Sequence, residues 1–104
     1  MAEAVRKVLV TGSIRAKPER IDELLALSLE HVRHSRTEPG CLAHAVHRDV
    51  EDPLRLVFVE EWANRAALLA HFAVPASRAF VKAAAACAIG APSMALHEVD
   101  ALTL

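Results

Sequence analysis

Trp62 and His71 are the two side chains in this sequence whose types and spacing best suit chemistry on an aromatic molecule. An indole offers a flat apolar wall and one N–H donor, and an imidazole can take or give a proton near neutral pH. His71 follows Trp62 by nine residues, so a turn from a strand into a helix would place both on one cavity. The pair suits an aromatic ligand that bears a hydroxyl group. A core tryptophan with a surface histidine would give the same pattern, and both interpretations stay open.

Six histidines in 104 residues make a metal site the second kind of chemistry to consider. His31 and His34 are three residues apart on a predicted helix, a spacing that can place two imidazoles on one metal ion. His44 and His47 repeat that spacing on a predicted strand, which sends them to opposite faces. The sequence contains neither an H-E-x-x-H nor a C-x-x-C motif. We therefore expect solvated or packed histidines and no bound metal.

Phosphate-binding loops and activated nucleophiles find no support in the sequence. Gly12 follows a strand-like run, but the next glycine is Gly40, so there is no glycine-rich phosphate loop. No serine lies in a glycine elbow. Cys41 and Cys87 both lie in apolar surroundings, which predicts reduced, packed thiols and a cytoplasmic protein.

Length and charge narrow the class of protein further. A chain of 104 residues is predicted to form a single domain over 1–104. Its net charge of −1, with no block of like charge, argues against nucleic acid and an anionic membrane surface as partners. The longest apolar run near the start, Val8-Leu9-Val10, is too short for a signal peptide or a membrane span.

The hydrophobic pattern predicts the element order β-α-β-β-α-β. Alternating apolar residues predict strands over 6–15, 41–49, 54–62 and 94–99. A helix opens at 17–19 and ends before Glu38, and helical segments follow over 65–72 and 77–88. Asn64 is placed to cap the first of these segments, and Pro75 separates the two.

This order is the split β-α-β or ferredoxin-like arrangement, an α+β fold with helices on one face of the sheet. The strand segment Leu54–Val59 is largely apolar on both faces, so the face without helices also needs cover. We expect a second copy of the chain to supply it, giving a homodimer.

Several short motifs, by their order and spacing, resemble those of the antibiotic biosynthesis monooxygenase (ABM) domain family. They are Glu38-Pro39-Gly40-Cys41-Leu42, Arg48-Asp49, Glu51-Asp52-Pro53, Glu60-Glu61-Trp62, and Ala70-His71-Phe72 followed by Pro75. The resemblance runs from about Val8 to Val99 and implies a dimeric α+β barrel of ferredoxin-like subunits. It also implies a quinol monooxygenase-like enzyme that uses molecular oxygen on quinols or polycyclic phenols, with no metal, flavin or haem cofactor.

Some positions differ from those of the family. Members that oxidise anthrone-type polyketides have an asparagine and a tyrosine where this chain has Phe58 and Leu68, and an arginine near Lys82. Family tyrosines of the second strand correspond here to His44 and His47. In quinol-oxidising members a second histidine often stands at the position of Ala76. By correspondence, Phe58, Leu68, His44 and Lys82 are candidate substrate-binding residues.

The leading hypothesis is a cofactor-independent monooxygenase of a quinol or phenolic substrate. His71 would be the base or orienting group, Trp62 the wall and hydrogen-bond donor, and His44 a second polar group. The cavity would lie between the sheet and the second helix, with Phe58, Leu68 and Phe80 among its apolar walls. A non-catalytic binder of small aromatic ligands is the alternative, favoured by the replaced family residues. An isomerase on the same barrel is a third possibility.

Overall fold

The computed structural model describes residues 6–104, and its strands and helices follow the predicted order. The strands are β1 (Lys7–Arg15), β2 (Cys41–Arg48), β3 (Arg55–Trp62) and β4 (Ser93–Val99). The helices are α1 (Ile21–Ser35), α2 (Arg65–Ala73) and α3 (Pro75–Cys87), and a short 3-10 turn over Pro18–Arg20 leads into α1. The predicted strands and the last two helical segments are confirmed to within two residues at each end.

The four strands form one antiparallel sheet in the order β2-β3-β1-β4. The two central strands pair with Val8 opposite Trp62 and Val10 opposite Glu60. Helices α1 and α3 pack against each other, and α2 follows β3 directly. The predicted ferredoxin-like α+β fold is confirmed.

Local side-chain bonds explain where the hairpin and the second helix begin. In the β2–β3 turn, the carboxylates of Asp49 and Asp52 accept hydrogen bonds from backbone N–H groups two residues further on, at 2.9 and 3.2 Å. Asn64 is the predicted N-cap of α2, and its side chain accepts a 2.8 Å hydrogen bond from the N–H of Ala67. Pro75 lies in the first turn of α3, because a missing N–H costs nothing there. That helix therefore starts two residues before the predicted position.

The helix-covered face of the sheet has two hydrophobic clusters. The first, which we call the apolar core, consists of Ala16, Leu24, Val32, Leu56, Phe58, Ala84 and Cys87. The second consists of Val8, Val10, Trp62 and Leu68. Because Leu56 and Phe58 start β3 and Trp62 ends it, the two clusters occupy opposite ends of the same face. The prediction of packed thiols holds for Cys87, which is fully buried, whereas Cys41 is only half-buried.

Among the described residues, 6–104, no helix lies on the opposite face of the sheet. Val57 on that face is half-buried and Val59 is 38% exposed, while their neighbours Leu56 and Phe58 are buried under the helices. This is the uncovered apolar face that the sequence predicts. Within residues 6–104, no helix combines the length and the apolar character that crossing a membrane would require.

Candidate functional site

His71 is held inside the protein by helix α2. Its buried neighbour Leu68 lies one turn earlier on the same helix and packs against Trp62. The imidazole is 4% exposed and lies against the indole of Trp62, with 4.6 Å between ring centroids. The predicted proximity of Trp62 and His71 is therefore found in the structure.

Glu38 is the hydrogen-bond partner of His71. Its Oε1 lies 2.8 Å from Nδ1 of His71, and the hydroxyl of Ser77 lies 3.4 Å from the same nitrogen. An ionised carboxylate only accepts, so Nδ1 of His71 carries the proton and its N–H donates a hydrogen bond to Oε1 of Glu38. The lone pair of His71 is then on Nε2. This pair is a carboxylate-oriented imidazole, the arrangement that fixes a histidine as a base or a ligand.

A tight turn after α1 positions Glu38. Gly40 has a φ of +80°, and a Cβ there would lie 2.5 Å from Cβ of Ala67 on α2. Only glycine combines this backbone conformation with such close approach. The Glu38-Pro39-Gly40 loop is thereby pressed against α2, which carries His71. This motif therefore has a structural role: it positions the carboxylate of Glu38 within hydrogen-bond distance of the imidazole of His71, 33 residues further along the chain.

Glu60 lies beside Trp62 on the same face of β3. The indole Nε1–H donates a 3.0 Å hydrogen bond to Oε1 of Glu60. The same oxygen lies 3.2 Å from Nε2 of His44 and 4.0 Å from Nε2 of His71. The indole donor is thus already engaged by a carboxylate. Trp62 itself is fully buried against His71, so its roles as a wall and as a donor to substrate stay predictions.

Three imidazoles converge at this point. His44 on β2 is 2% exposed, and its ring centroid lies 5.3 Å from that of His31 on α1 and 5.7 Å from that of His71. His31 in turn stacks on Phe80, with centroids 4.1 Å apart. His47 is exposed on the other side of β2, as the strand period predicts. We call His31, His44, His71 and Glu60 the histidine cluster.

Charge and burial shift two pKa values within the cluster. Burial alone would raise the pKa of Glu60, but the neighbouring imidazoles of His44 and His71 and the hydrogen bond from the Trp62 N–H outweigh it and lower that pKa. Burial, followed by the nearby imidazoles of His44 and His71, lowers the pKa of His31 to about 4. At neutral pH the cluster therefore contains an anionic Glu60 and a neutral His31.

A cavity of about 390 Å³ opens beside the cluster. It lies between the Glu38–Gly40 loop and α2, and both Glu38 and His71 line it. The remaining lining residues are Pro39, Gly40, Asn64, Ala66, Ala67, Ala70 and Val74. A polar pair in a mostly apolar cavity is suited to orienting a small ligand with one or two hydroxyl groups.

The other predicted site residues take different positions. Phe58 belongs to the apolar core, and Leu68 packs behind Trp62. Phe80 contacts His31, and Lys82 is exposed on α3. None of these four is among the described residues that line the cavity. This cavity opens at the loop side of α2, away from Phe58, Leu68 and Phe80, so a substrate-binding role for those side chains stays a prediction.

Sequence reasoning did not single out Glu38, Glu60 or His31 as residues of this site. One signal was available for Glu60: it stands two residues before Trp62 on a strand, so both side chains point to the same face. Glu38 and His31 offered no such signal, since their proximity to His71 depends on how α1 and its following loop cross the sheet.

The fold places the chain among ferredoxin-like α+β proteins, and a cavity lined by Glu38 and His71 opens beside its histidine cluster. Residues 7–83 match the antibiotic biosynthesis monooxygenase family, and the chain belongs to that family. The resemblance inferred from the sequence motifs is thus confirmed.

Similar proteins extend this result. An uncharacterized protein of Synechocystis, sll1783, is 39% identical over 75 residues, covering 72% of this chain and 51% of its own length. The Bacillus subtilis protein "Putative monooxygenase YcnE" is 30% identical over 64 residues, covering 62% of this chain and 67% of its own. The matched region thus spans about half the length of the Synechocystis relative.

Solved structures agree in fold. The crystal structure of an antibiotic biosynthesis monooxygenase is 36% identical, has a TM-score of 0.83 and covers 92% of this chain and 99% of its own. A conserved protein from Methanosarcina mazei Go1, at 20% identity, has a TM-score of 0.87 with coverage of 92% and 95%. At that identity the second likeness concerns the fold alone.

Proposed function

We propose that this chain is a monooxygenase that oxidises a quinol or another phenolic aromatic compound with molecular oxygen. Family membership and the 36% identical monooxygenase structure support the reaction class. The observation that carries the proposal is the His71–Glu38 pair: a buried imidazole, bonded at 2.8 Å to a carboxylate, at the wall of a cavity. A phenol needs such a base to become reactive toward oxygen.

The first step is proton transfer. With Nδ1–H donated to Glu38, Nε2 of His71 accepts the proton of the substrate hydroxyl, directly or through one water molecule. Glu38 stabilises the imidazolium that forms, because an anion next to a cation in a poorly solvated site is favourable. The resulting phenolate is electron-rich at ring carbon.

The second step is oxidation by oxygen itself. The phenolate transfers electrons to dioxygen, one oxygen atom bonds to the ring carbon, and the other leaves as water. For a hydroquinone the balanced outcome is one hydroxyquinone and one water per dioxygen, with the substrate supplying all the electrons. The chain's own contribution is to hold the ring against apolar residues and to move the proton at His71.

Oxygen uptake with a panel of hydroquinones tests this proposal. We expect turnover by the wild-type chain and a loss of about a hundredfold or more in His71→Ala, the range for removal of a general base. His47→Ala, an exposed histidine of β2, is the matched control and should retain the wild-type rate. Tight binding without uptake would replace oxidation by a binding function, and product formed without oxygen would indicate an isomerase.

We also propose that the protein acts as a homodimer. None of the helices in the described part of the chain covers the apolar sheet face with Val57 and Val59. Burying this face against a second copy would remove that apolar surface from water. A stable interface of this kind buries about 1,200 Å² or more in total. Sedimentation at micromolar concentration should give the mass of a dimer, and a monomer would contradict the proposal.

A cytoplasmic location fits the same function. Cys41 and Cys87 are free thiols, the state that a reducing compartment maintains. Fractionation of cells that express the protein from its own gene should recover it with cytoplasmic markers, and recovery with an exported fraction would contradict this location.

A further inference from the structure

The histidine cluster contains more coordinating groups than proton transfer at His71 requires. One ring nitrogen from each of His31, His44 and His71 can be chosen so that all lie within 4.8 Å of one another. They come from three different elements, α1, β2 and α2, so the tertiary fold and not a local motif brings them together.

His44 is the least expected member of this group. Its side chain is fully enclosed, yet neither ring nitrogen has a hydrogen-bond partner among residues 6–104. The closest contact, from Nε2 to Oε1 of Glu60 at 3.2 Å, does not have the direction of a hydrogen bond. Burying an imidazole in this way destabilises the fold unless something else binds its nitrogen.

Glu60 and Glu38 supply the other features of a metal site. Oε1 of Glu60 faces Nε2 of both His44 and His71, so a carboxylate oxygen lies beside the imidazole nitrogens. Glu38 accepts a hydrogen bond from Nδ1–H of His71. The lone pair of His71 is therefore on Nε2, the nitrogen nearer to Glu60. A carboxylate on the far nitrogen is the usual support of a metal-bound histidine.

We propose that His31, His44, His71 and Glu60 bind one divalent first-row transition-metal ion. Neutral imidazoles with one carboxylate suit zinc, iron or cobalt better than calcium or magnesium, which take oxygen ligands. Tetrahedral binding at the usual metal–nitrogen length needs ligand atoms about 3.3 Å apart. The nitrogens, within 4.8 Å of one another, therefore close in by up to about 1.5 Å through side-chain rotation.

This inference goes beyond the proposed oxidation: a metal ion on Nε2 of His71 would occupy the lone pair that accepts the substrate proton, so only the metal-free chain would oxidise its substrate. Its test accordingly measures metal binding. The full chain is treated with a chelator, dialysed, and titrated with Co²⁺, whose visible spectrum reports four-coordinate nitrogen and oxygen ligands. We expect one tightly bound Co²⁺ per chain, displaced by Zn²⁺, and a higher melting temperature with the metal present.

Two variants on one strand separate the cluster from surface histidines. His44→Leu should abolish the cobalt spectrum, whereas His47→Ala, on the opposite face of β2, should leave it unchanged. Glu38→Gln should weaken the affinity by about 10- to 100-fold, because it removes support and no ligand. Circular dichroism and thermal unfolding in chelator verify that each variant is folded.

Two outcomes would overturn the proposal. One is the absence of stoichiometric Co²⁺ or Zn²⁺ binding by the folded wild-type chain. The other is binding that survives in folded His44→Leu and is lost in His47→Ala, which would assign the metal to the surface. Oxygen uptake by the chelator-treated chain is measured separately, so failure of metal binding and failure of the proposed oxidation are distinguished.

Discussion

The two ends of the helix-covered sheet face are both buried but contain different chemistry. At one end, Leu56 and Phe58 belong to the apolar core. At the other end, Trp62 packs among His44, His71 and Glu60, all at most 6% exposed. Burying apolar groups stabilises a fold, whereas burying imidazoles and a carboxylate opposes it. The difference indicates that the apolar core holds the domain together, and it supports our proposal that the histidine cluster is present for function.

The largest effect on stability is expected from removing Trp62, the large side chain at the end of the sheet face that holds the histidine cluster. Trp62→Ala should lower the free energy of unfolding by about 3–5 kcal/mol, since it empties a fully buried site. It also removes the hydrogen bond to Glu60. Denaturant unfolding measures the loss. A loss below about 1 kcal/mol would show that this end is loosely packed, contrary to the structure.

Replacing the buried polar groups of the cluster should raise the free energy of unfolding, the opposite of the effect of Trp62→Ala. The double variant His44→Leu with Glu60→Gln removes an unpartnered imidazole and a buried charge but keeps an amide oxygen to accept from Trp62. We expect the free energy of unfolding, measured in chelator, to rise by about 1 kcal/mol. Quinol oxidation should fall in the same protein. A variant less stable than the wild type would mean that the cluster stabilises the fold.

Acid should lower the stability of the folded protein through protonation of His31 in the histidine cluster. Its pKa falls from 6.5 in the unfolded chain to about 4 in the folded chain because of burial. Between those pH values the unfolded chain binds a proton that the folded chain excludes, so stability decreases as the pH drops. His31→Phe should flatten this decrease in melting temperature, and His47→Gln should not. Equal slopes in His31→Phe and the wild type would contradict the assignment.

The two cysteines allow the accessibility of the two ends to be compared in the unmutated protein by thiol labelling. Cys87 lies fully buried in the apolar core, and Cys41 packs half-buried beside Trp62. Partial burial, followed by the charge of Glu38, raises the pKa of Cys41, so its thiol also reacts slowly. In native protein, mass spectrometry should detect labelling at Cys41 well before Cys87. The reverse order would show that the apolar core opens first.

The sequence predicts the fold because each element has a local signal. Alternation marked the strands, and the side chain of Asn64 marked the start of α2. The same alternation placed His44 and His47 on opposite faces of β2, and the short turn after Trp62 placed His71 beside it. These relations involve residues on one strand or on adjacent elements, where geometry follows from spacing.

The rest of the site depends on contacts between distant segments. Glu38 meets His71 only because Gly40 lets its loop approach Ala67, and His31 meets His44 only because α1 crosses β2. The position of the cavity also depends on tertiary packing. Residue spacing alone could not show that Phe58 and Phe80 pack against each other while the Glu38–Gly40 loop leaves an opening beside α2. Tertiary packing decides such positions, and one sequence contains no direct signal of it.

A paired measurement on His71→Ala and Leu56→Ala tests the account most directly. Oxygen uptake and denaturant unfolding are followed for both variants under conditions where both are folded. We predict that His71→Ala loses about a hundredfold in uptake and little stability, whereas Leu56→Ala loses about 2–5 kcal/mol of stability and keeps its uptake. Undiminished uptake in folded His71→Ala would contradict the assignment of function to the histidine cluster.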